Sequence, residues 1–469
     1  MKTKSKLHRI FSVPPYSYCD FLDKDDLITL RKTNTYFVHC LFAIASPKIN
    51  LHISPLSSHN YDKAIAYFPK AKISIDFHLG IYYLPSYLRK MVSATALNCP
   101  YYAYLGLKHL SHLTRLTSLS MDHCTLIHPE KTTNTEIDHL TQLKNLSIDS
   151  NKFLLGATLR KFTNLEQLSL SGNTVIQTND LEYLKLSLRS LSISDNDTIN
   201  PRILPKLQLT KLNIMYNKAV TFDIIFQCKT IRDLSISDDK LILGKSLSTL
   251  TFLQKLTIKS AYIREDYEVN YDMLNSLTSL TELHFVENDI ATPLIKDSKL
   301  SLLINLTNLT ICSDVFMGSC FVNLKNLIRL KIAGKKFDAV NLKYLTELKY
   351  LYLGRRTRLL EINMWKLTSL ISLEIHCSFK CILTGINRNL QSLAIYSSLG
   401  PTELINSALI KKLIGLRRLY LNGNNKVTIQ CLLGLTSLVF VSMPERKNLN
   451  KEHLRELINK GVRFVSSEE

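Results

Sequence analysis

Leu165-Glu166-Gln167-Leu168-Ser169-Leu170-Ser171-Gly172-Asn173 sets leucine at its first, fourth and sixth places and asparagine at its ninth. The phrase returns as Leu188/Leu191/Ile193/Asn196 and as Leu209/Leu212/Ile214/Asn217. Toward the C-terminus it reads Leu253/Leu256/Ile258, Leu280/Leu283/Phe285/Asn288, Leu306/Leu309/Ile311 and Leu327/Leu330/Ile332. Leu348/Leu351/Leu353, Leu370/Leu373/Ile375, Leu390/Leu393/Ile395 and Leu416/Leu419/Leu421/Asn424 follow, with Leu435/Leu438/Val441/Met443 as the expected last copy. Toward the N-terminus stand Leu140/Leu143/Leu146/Ile148/Asn151 and Leu113/Leu116/Leu119/Met121/Cys124, and Leu88/Met91/Ala94/Ala96/Cys99 reads as a degenerate copy. The step is about 21–27 residues, repeated about fifteen times.

The x-Leu-x-Leu-x core alternates with period two, which predicts a short strand with one buried face. The leucine three residues earlier leads the chain into that strand. The asparagine suits a sharp turn, where its amide can bond backbone groups that burial would otherwise leave unpaired. Fully burying one leucine is worth roughly 1.5–3 kcal/mol before entropy is subtracted. No coil covers its own leucines, so coils must stack and stability becomes a sum over neighbours. The asparagine place is taken elsewhere by Asp239, Ala261, Asp314, Lys335, Arg356, Ser378 and Ser398, which predicts a weaker polar ladder toward the C-terminus.

This pattern resembles the leucine-rich-repeat families, especially the short-repeat types. The resemblance implies an α/β right-handed solenoid, a horseshoe or arc with a parallel sheet on its concave side, and a small helical segment at the N-terminus. Steps of 26–27 leave room for a helix, expected between Leu256 and Leu283, where Arg264–Glu268 precede Met273, Leu274 and Leu277. The organisation read from the sequence is residues 1–47 as the helical segment and 48–105 as degenerate repeats or cap, then 106–446 as the solenoid and 447–469 as a C-terminal cap. Leu51–Ile53 and Ile73–Ile75 are candidate strands in the second region, and Glu452–Ile458 a helix in the last.

The N-terminal segment has a different texture. Val13-Pro14, Leu22-Asp23-Lys24-Asp25-Asp26-Leu27, then Leu30, Arg31 and Phe37 resemble an F-box. That family docks on the adaptor of a cullin-type ubiquitin ligase, and a leucine-rich array behind it selects the protein to be ubiquitinated. The resemblance makes Val13, Pro14, Leu22, Leu27, Leu30 and Phe37 the adaptor-binding residues. Tandem Pro14-Pro15 opposes the usual first helix. The same residues also read as helices that merely cover the open end of the solenoid. Two functions therefore stand side by side: a ligase substrate receptor, and a scaffold or effector that binds a protein partner with no ligase link.

Composition bounds the rest. The chain has 469 residues, a formal charge of +20, thirteen prolines and fourteen glycines. No apolar run of membrane length appears, and none follows the basic Met1–Lys6, so neither span nor secretory signal is expected. The ten cysteines are scattered without a Cys-x-x-Cys pair and read as reduced thiols. Asn145, Asn196, Asn305 and Asn308 open glycosylation sequons, but Asn196 falls in the inward amide position, where a glycan does not fit. The expectation is a monomer of the cytoplasm or nucleus with no membrane contact. No nucleotide, metalloprotease or hydrolase motif is present, so the chain is expected to be no enzyme, with no cofactor and no metal. His109, His112, His123 and His128 lack ligand spacing. The basic clusters Lys335-Lys336, Arg355-Arg356, Lys411-Lys412 and Arg417-Arg418 are not organised by a nucleic-acid motif. An acidic protein target is expected in preference to sequence-specific nucleic acid.

The residues between the buried leucines face outward on the strands. In the first half they are small, hydroxylated or acidic, as at Ser118, Ser120, Asp122, Ser147, Asp149, Ser169, Ser171 and Ser192. In the second half they become basic, aromatic or bulky: beside Glu282 and Glu374 stand Lys255, Lys259, His284, Arg329, Lys331, Tyr350, Tyr352, His376, Tyr396, Arg418 and Tyr420. Arginine and tyrosine dominate binding hot spots, so these eleven residues are the expected partner-binding set, with the target on the concave face.

Overall fold

The computed structural model describes residues 50–53, 72–76, 92–101, 110–124, 134–237, 247–259, 272–286, 297–354, 357, 361–377, 382–397, 407–422, 427–444 and 451–467. The chain divides into two compact units, Met1–Leu209 and Thr210–Glu469. Each is a leucine-rich-repeat solenoid. The F-box-like residues Val13 to Phe37 lie outside the described residues.

The first unit stacks β1 (Asn50–Ile53), β2 (Lys72–Asp76), β3 (Ala96–Asn98), β4 (Ser118–Ser120), β5 (Asn145–Ser147), β6 (Gln167–Ser169) and β7 (Ser190–Ser192). All pair in parallel and in chain order. The two candidate strands before residue 80 are thus rungs of the same sheet. Leu97, Leu119, Leu146, Leu168 and Leu191 face one another rung by rung and are buried. This register corrects the reading of the degenerate copy. Leu97, not Ala94, is the partner of Leu119, so the repeat is Ala94/Leu97/Cys99, shifted by three residues. Alanine at both 94 and 96 carries too little hydrophobic contrast to mark the phase.

The second unit stacks β8 (Lys211–Asn213), β9 (Asp233–Ser237), β10 (Lys255–Lys259), β11 (Glu282–Val286), β12 (Asn308–Cys312), β13 (Arg329–Ala333) and β14 (Tyr350–Leu353). Then come β15 (Glu361–Asn363), β16 (Ser372–Cys377), β17 (Ile382–Thr384), β18 (Ser392–Ser397), β19 (Arg418–Asn422), β20 (Phe440–Pro444) and β21 (Arg463–Ser467). Among the described residues β15 pairs only with β17, as a small separate ladder. The others pair in parallel, with Leu256, Leu283, Leu309, Leu330, Leu351, Leu373, Leu393 and Leu419 in one inward row. Val441 is not the end of that row: Phe464 on β21 pairs with it, after the helix Lys451–Asn459. Of the stretch between Leu256 and Leu283 where a helix is expected, 260–271, with Arg264–Glu268, lie outside the described residues, and Asp272–Ser276 form a 3-10 turn. No helix among the described residues is long and apolar enough to cross a membrane.

The asparagines behave as the period demands. Asn151, Asn173, Asn196 and Asn217 are buried. Asn173 donates through Nδ2 to the carbonyls of Ile148 and Asn151, both at 3.0 Å, and accepts from the N–H groups of Val175 and Ile176. Asn196 repeats this on Leu170 and Asn173 at 2.8 Å, which leaves no room for a sugar. Cys124 fills the same place and donates its thiol to Cys99 O at 3.0 Å. The residue before each polar slot is left-handed: His123, Ser150, Gly172, Asp195 and Tyr216 have φ between 50° and 60°. Only Gly172 avoids the steric cost of that conformation.

Where the slot holds other residues the backbone changes. At Asp314 and Lys335 the side chains leave the interior and pair at 2.8 Å on the surface. β12 and β13 run five residues, against three for β4 to β8. Behind the turn, Phe316 and Phe337 stack in parallel planes at 6.4 Å with Phe321 edge-on to Phe316 at 5.7 Å, and all three are buried. Aromatic packing thus occupies the space behind a missing amide.

Candidate functional site

Parallel in-register pairing lays outward residues of consecutive repeats side by side, about 4.8 Å apart. In the first unit this creates a face that closes on itself. Asp122 accepts from the hydroxyls of Ser120 and Ser147 and from Asp149 N–H. Asp149 accepts from Ser169 Oγ at 2.6 Å and Ser171 N–H at 2.7 Å, and Ser171 meets Ser192 at 2.9 Å. Burial raises the Asp149 carboxyl above its ordinary value, with neighbouring Asp122 adding to the rise and the serine hydrogen bonds opposing it.

The second unit's face is built differently. Arg329 is the register partner of Tyr350, and Lys331 of Tyr352. The guanidinium lies 3.9 Å from the Tyr350 ring centroid and the ammonium 4.4 Å from that of Tyr352. His376 stands beside both Tyr352, at 5.0 Å, and Tyr396, stacked at 4.5 Å, and its Nε2 meets Glu374 at 2.7 Å. Burial lifts the Tyr396 phenol above its usual value, helped by Glu374 and Tyr420. Tyr420 packs on Phe440 at 5.0 Å.

On the other side of the basic pair, Lys255 bridges to Glu282 at 3.1 Å. Asn308 donates to the same carboxylate at 3.1 Å, and His284 lies 3.4 Å from it. Burial alone would raise the Glu282 carboxyl, but the contacts from Lys255 and His284 hold it below its ordinary value. His284 Nδ1 meets Thr310 Oγ1 at 2.9 Å.

Between these groups lies an open depression of about 290 Å³. Five of the eleven expected partner-binding residues line it: His284, Arg329, Lys331, Tyr350 and Tyr352. Leu309, Leu330 and Leu351 also line it. Arg418 instead lines, with Tyr350, Arg417 and Ser392, a second depression of about 380 Å³. Lys255, His376, Tyr396 and Tyr420 lie on the same face outside the first depression. Lys259 turns toward the Tyr216 ring at 5.1 Å. Sequence reasoning left Asn308, Thr310 and Ser372 out of the site, although strand position placed them there. Their small polar side chains carry no hot-spot signal. Among the described residues no three His, Cys, Asp or Glu side chains converge as metal ligands. His123 instead stacks on Tyr101 at 4.7 Å. Cys99, Cys124, Cys228, Cys312, Cys320 and Cys431 form no disulfide, and burial pushes the Cys228 thiol up to about 12.

No family model matches the chain, and no curated protein matches it. Solved structures do. An internalin from Listeria monocytogenes is 20% identical, covering 82% of this chain and 89% of that one, with a TM-score of 0.32. A leucine-rich-repeat protein from Leptospira interrogans is 20% identical over 89% of this chain and all of its own, with a TM-score of 0.42. A chain of the Toll–Spatzle complex of Drosophila is 12% identical over 85% of this chain and 55% of its own, with a TM-score of 0.40. The likeness is one of fold alone.

Proposed function

We propose that the chain is a protein-recognition module and that its contact surface is the strand face of the second unit from β10 to β20. The observation that carries this reading is the row of cations and rings on adjacent rungs, Arg329/Tyr350 and Lys331/Tyr352 continuing into His376 and Tyr396. Rings held by stacked neighbours lose little freedom on binding, which is what makes aromatic residues efficient contact groups. The first unit's face supports a structural role instead, because its carboxylates are already bonded to its own hydroxyls and N–H groups.

Site-specific photo-crosslinking tests the assignment. A crosslinking amino acid at Tyr352 should trap a protein adduct, and the same group at Ser169 should not. Equal labelling at both positions, or none at 352, overturns it. The finer role, a substrate receptor on a cullin-type ubiquitin ligase, is carried by the F-box-like residues alone. Leu22→Asp with Leu27→Asp should then abolish co-purification with the adaptor while the repeats stay folded. A wild-type chain that never retains the adaptor leaves a scaffold or effector with no ligase link.

A further inference from the structure

We propose that the depression between β11 and β16 seats an acidic side chain, Asp or Glu, from an extended segment of the partner protein. This rests on the strand-face reading above and adds the chemistry of the partner.

Charge balance is the first ground. Glu282 is already engaged by Lys255, His284 and Asn308, and Glu374 by His376. Among the described residues, neither Arg329 nor Lys331 has a carboxylate in ion-pair contact; each has only a ring beneath it. Glu374, beside His376, is the one carboxylate lining the depression, so Arg329 and Lys331 together leave it with an excess of positive charge. A guanidinium stacked on a ring keeps its N–H edge turned away from that ring, and this edge takes a carboxylate in two parallel hydrogen bonds.

The second ground separates an acidic protein from nucleic acid, the other partner of a basic and aromatic surface. Single-strand binding needs ring faces open to bases. Here Tyr352 has Lys331 against its ring and His376 beside it, and His376 is stacked in turn on Tyr396. Glu282 and Glu374 flank the basic pair along the strands' outward rows. They would repel a continuous string of phosphates but leave room for one isolated carboxylate.

The test is a random peptide display library sorted on the full chain, on the double variant Arg329→Glu/Lys331→Glu, and on Tyr352→Ala, each checked for an unchanged melting curve. The wild type should enrich peptides bearing Asp or Glu, and their affinity should fall roughly tenfold or more in the charge-reversed variant. Enriched peptides without acidic residues that still need Tyr352 overturn the acid assignment and leave the strand-face reading standing. Acidic peptides indifferent to both variants, or no enrichment at all, overturn both. Oligodeoxythymidine, titrated in parallel, should bind weakly. Binding as tight as that of the peptides, lost on charge reversal, would assign the depression to phosphates and overturn the proposal.

Discussion

The two units solve one problem, how to turn the chain after each strand, in two ways. In the first, β4 to β7 are three residues long and a buried amide or thiol binds back to the previous repeat. In the second, from β9 onward, strands of the main sheet run four to six residues, and at Asp314 and Lys335 the polar slot has moved to the surface. A buried amide with four partners stops the strand early, because its own carbonyl must accept two N–H groups of the following turn. Without it regular strand pairing runs on, and His376 and Tyr396 stand in paired strand at the repeat position that Asp122 and Asp149 hold in the first unit. The unit whose polar ladder is interrupted, at Asp314 and Lys335, is the one with the basic and aromatic face.

Substitutions can break this contrast at matched places. The largest expected effect is Phe321→Ala, about 3–5 kcal/mol, because the ring is fully buried against Phe316 and Phe337. Denaturant unfolding measures it, and a loss near 1 kcal/mol would mean that aromatic packing does not stand in for the amide. Asn173→Ala should cost about 3 kcal/mol, since two carbonyls and two N–H groups lose their partner in the interior. Lys335→Ala, three residues after Ile332 as Asn173 is three after Leu170, should cost under about 1 kcal/mol because its ion pair is exposed. Similar losses at 173 and 335 would erase the distinction between the units.

The smallest effect sharpens the contrast by its sign. Glu282 is held below its ordinary value, so its contribution to stability is present above the unfolded carboxyl range. It is lost as pH falls through the folded value. Asp149 is raised, so the folded state holds its proton more tightly, and its contribution improves as pH falls through that raised value. Melting temperatures across the acid range should therefore move in opposite senses, relative to wild type, for Glu282→Gln and Asp149→Asn. Parallel curves would refute the opposed electrostatics of the two faces.

Much of this was readable beforehand. Leucine period set the rungs, and alternation alone put Arg329, Lys331, Tyr350 and Tyr352 on one face. The sequence-level phase failed at Ala94–Cys99, where alanines blur the contrast between inside and outside. The slot substitutions were visible, but not that Asp314 and Lys335 would pair on the surface while Phe316 and Phe337 stacked behind them. Such compensation depends on neighbours a repeat apart. Cation placement was hidden too: that Arg329 covers Tyr350, rather than reaching a carboxylate, follows from register, not from spacing along the chain.

The amide ladder reaches back by one repeat and no further: Asn196 touches the turn of Asn173, and Asn173 that of Asn151. Asn173 and Asn196 find the same pair of acceptors, whichever coil supplies them. Excising one whole coil, residues 152–173, would bring Asn196 onto the carbonyls of Ile148 and Asn151, and the one buried group left to re-pair would be Asp180, which loses Arg160. For the amide ladder, therefore, the length of this unit is adjustable by gain or loss of complete modules, with only coil-specific contacts such as Arg160–Asp180 to be rebuilt.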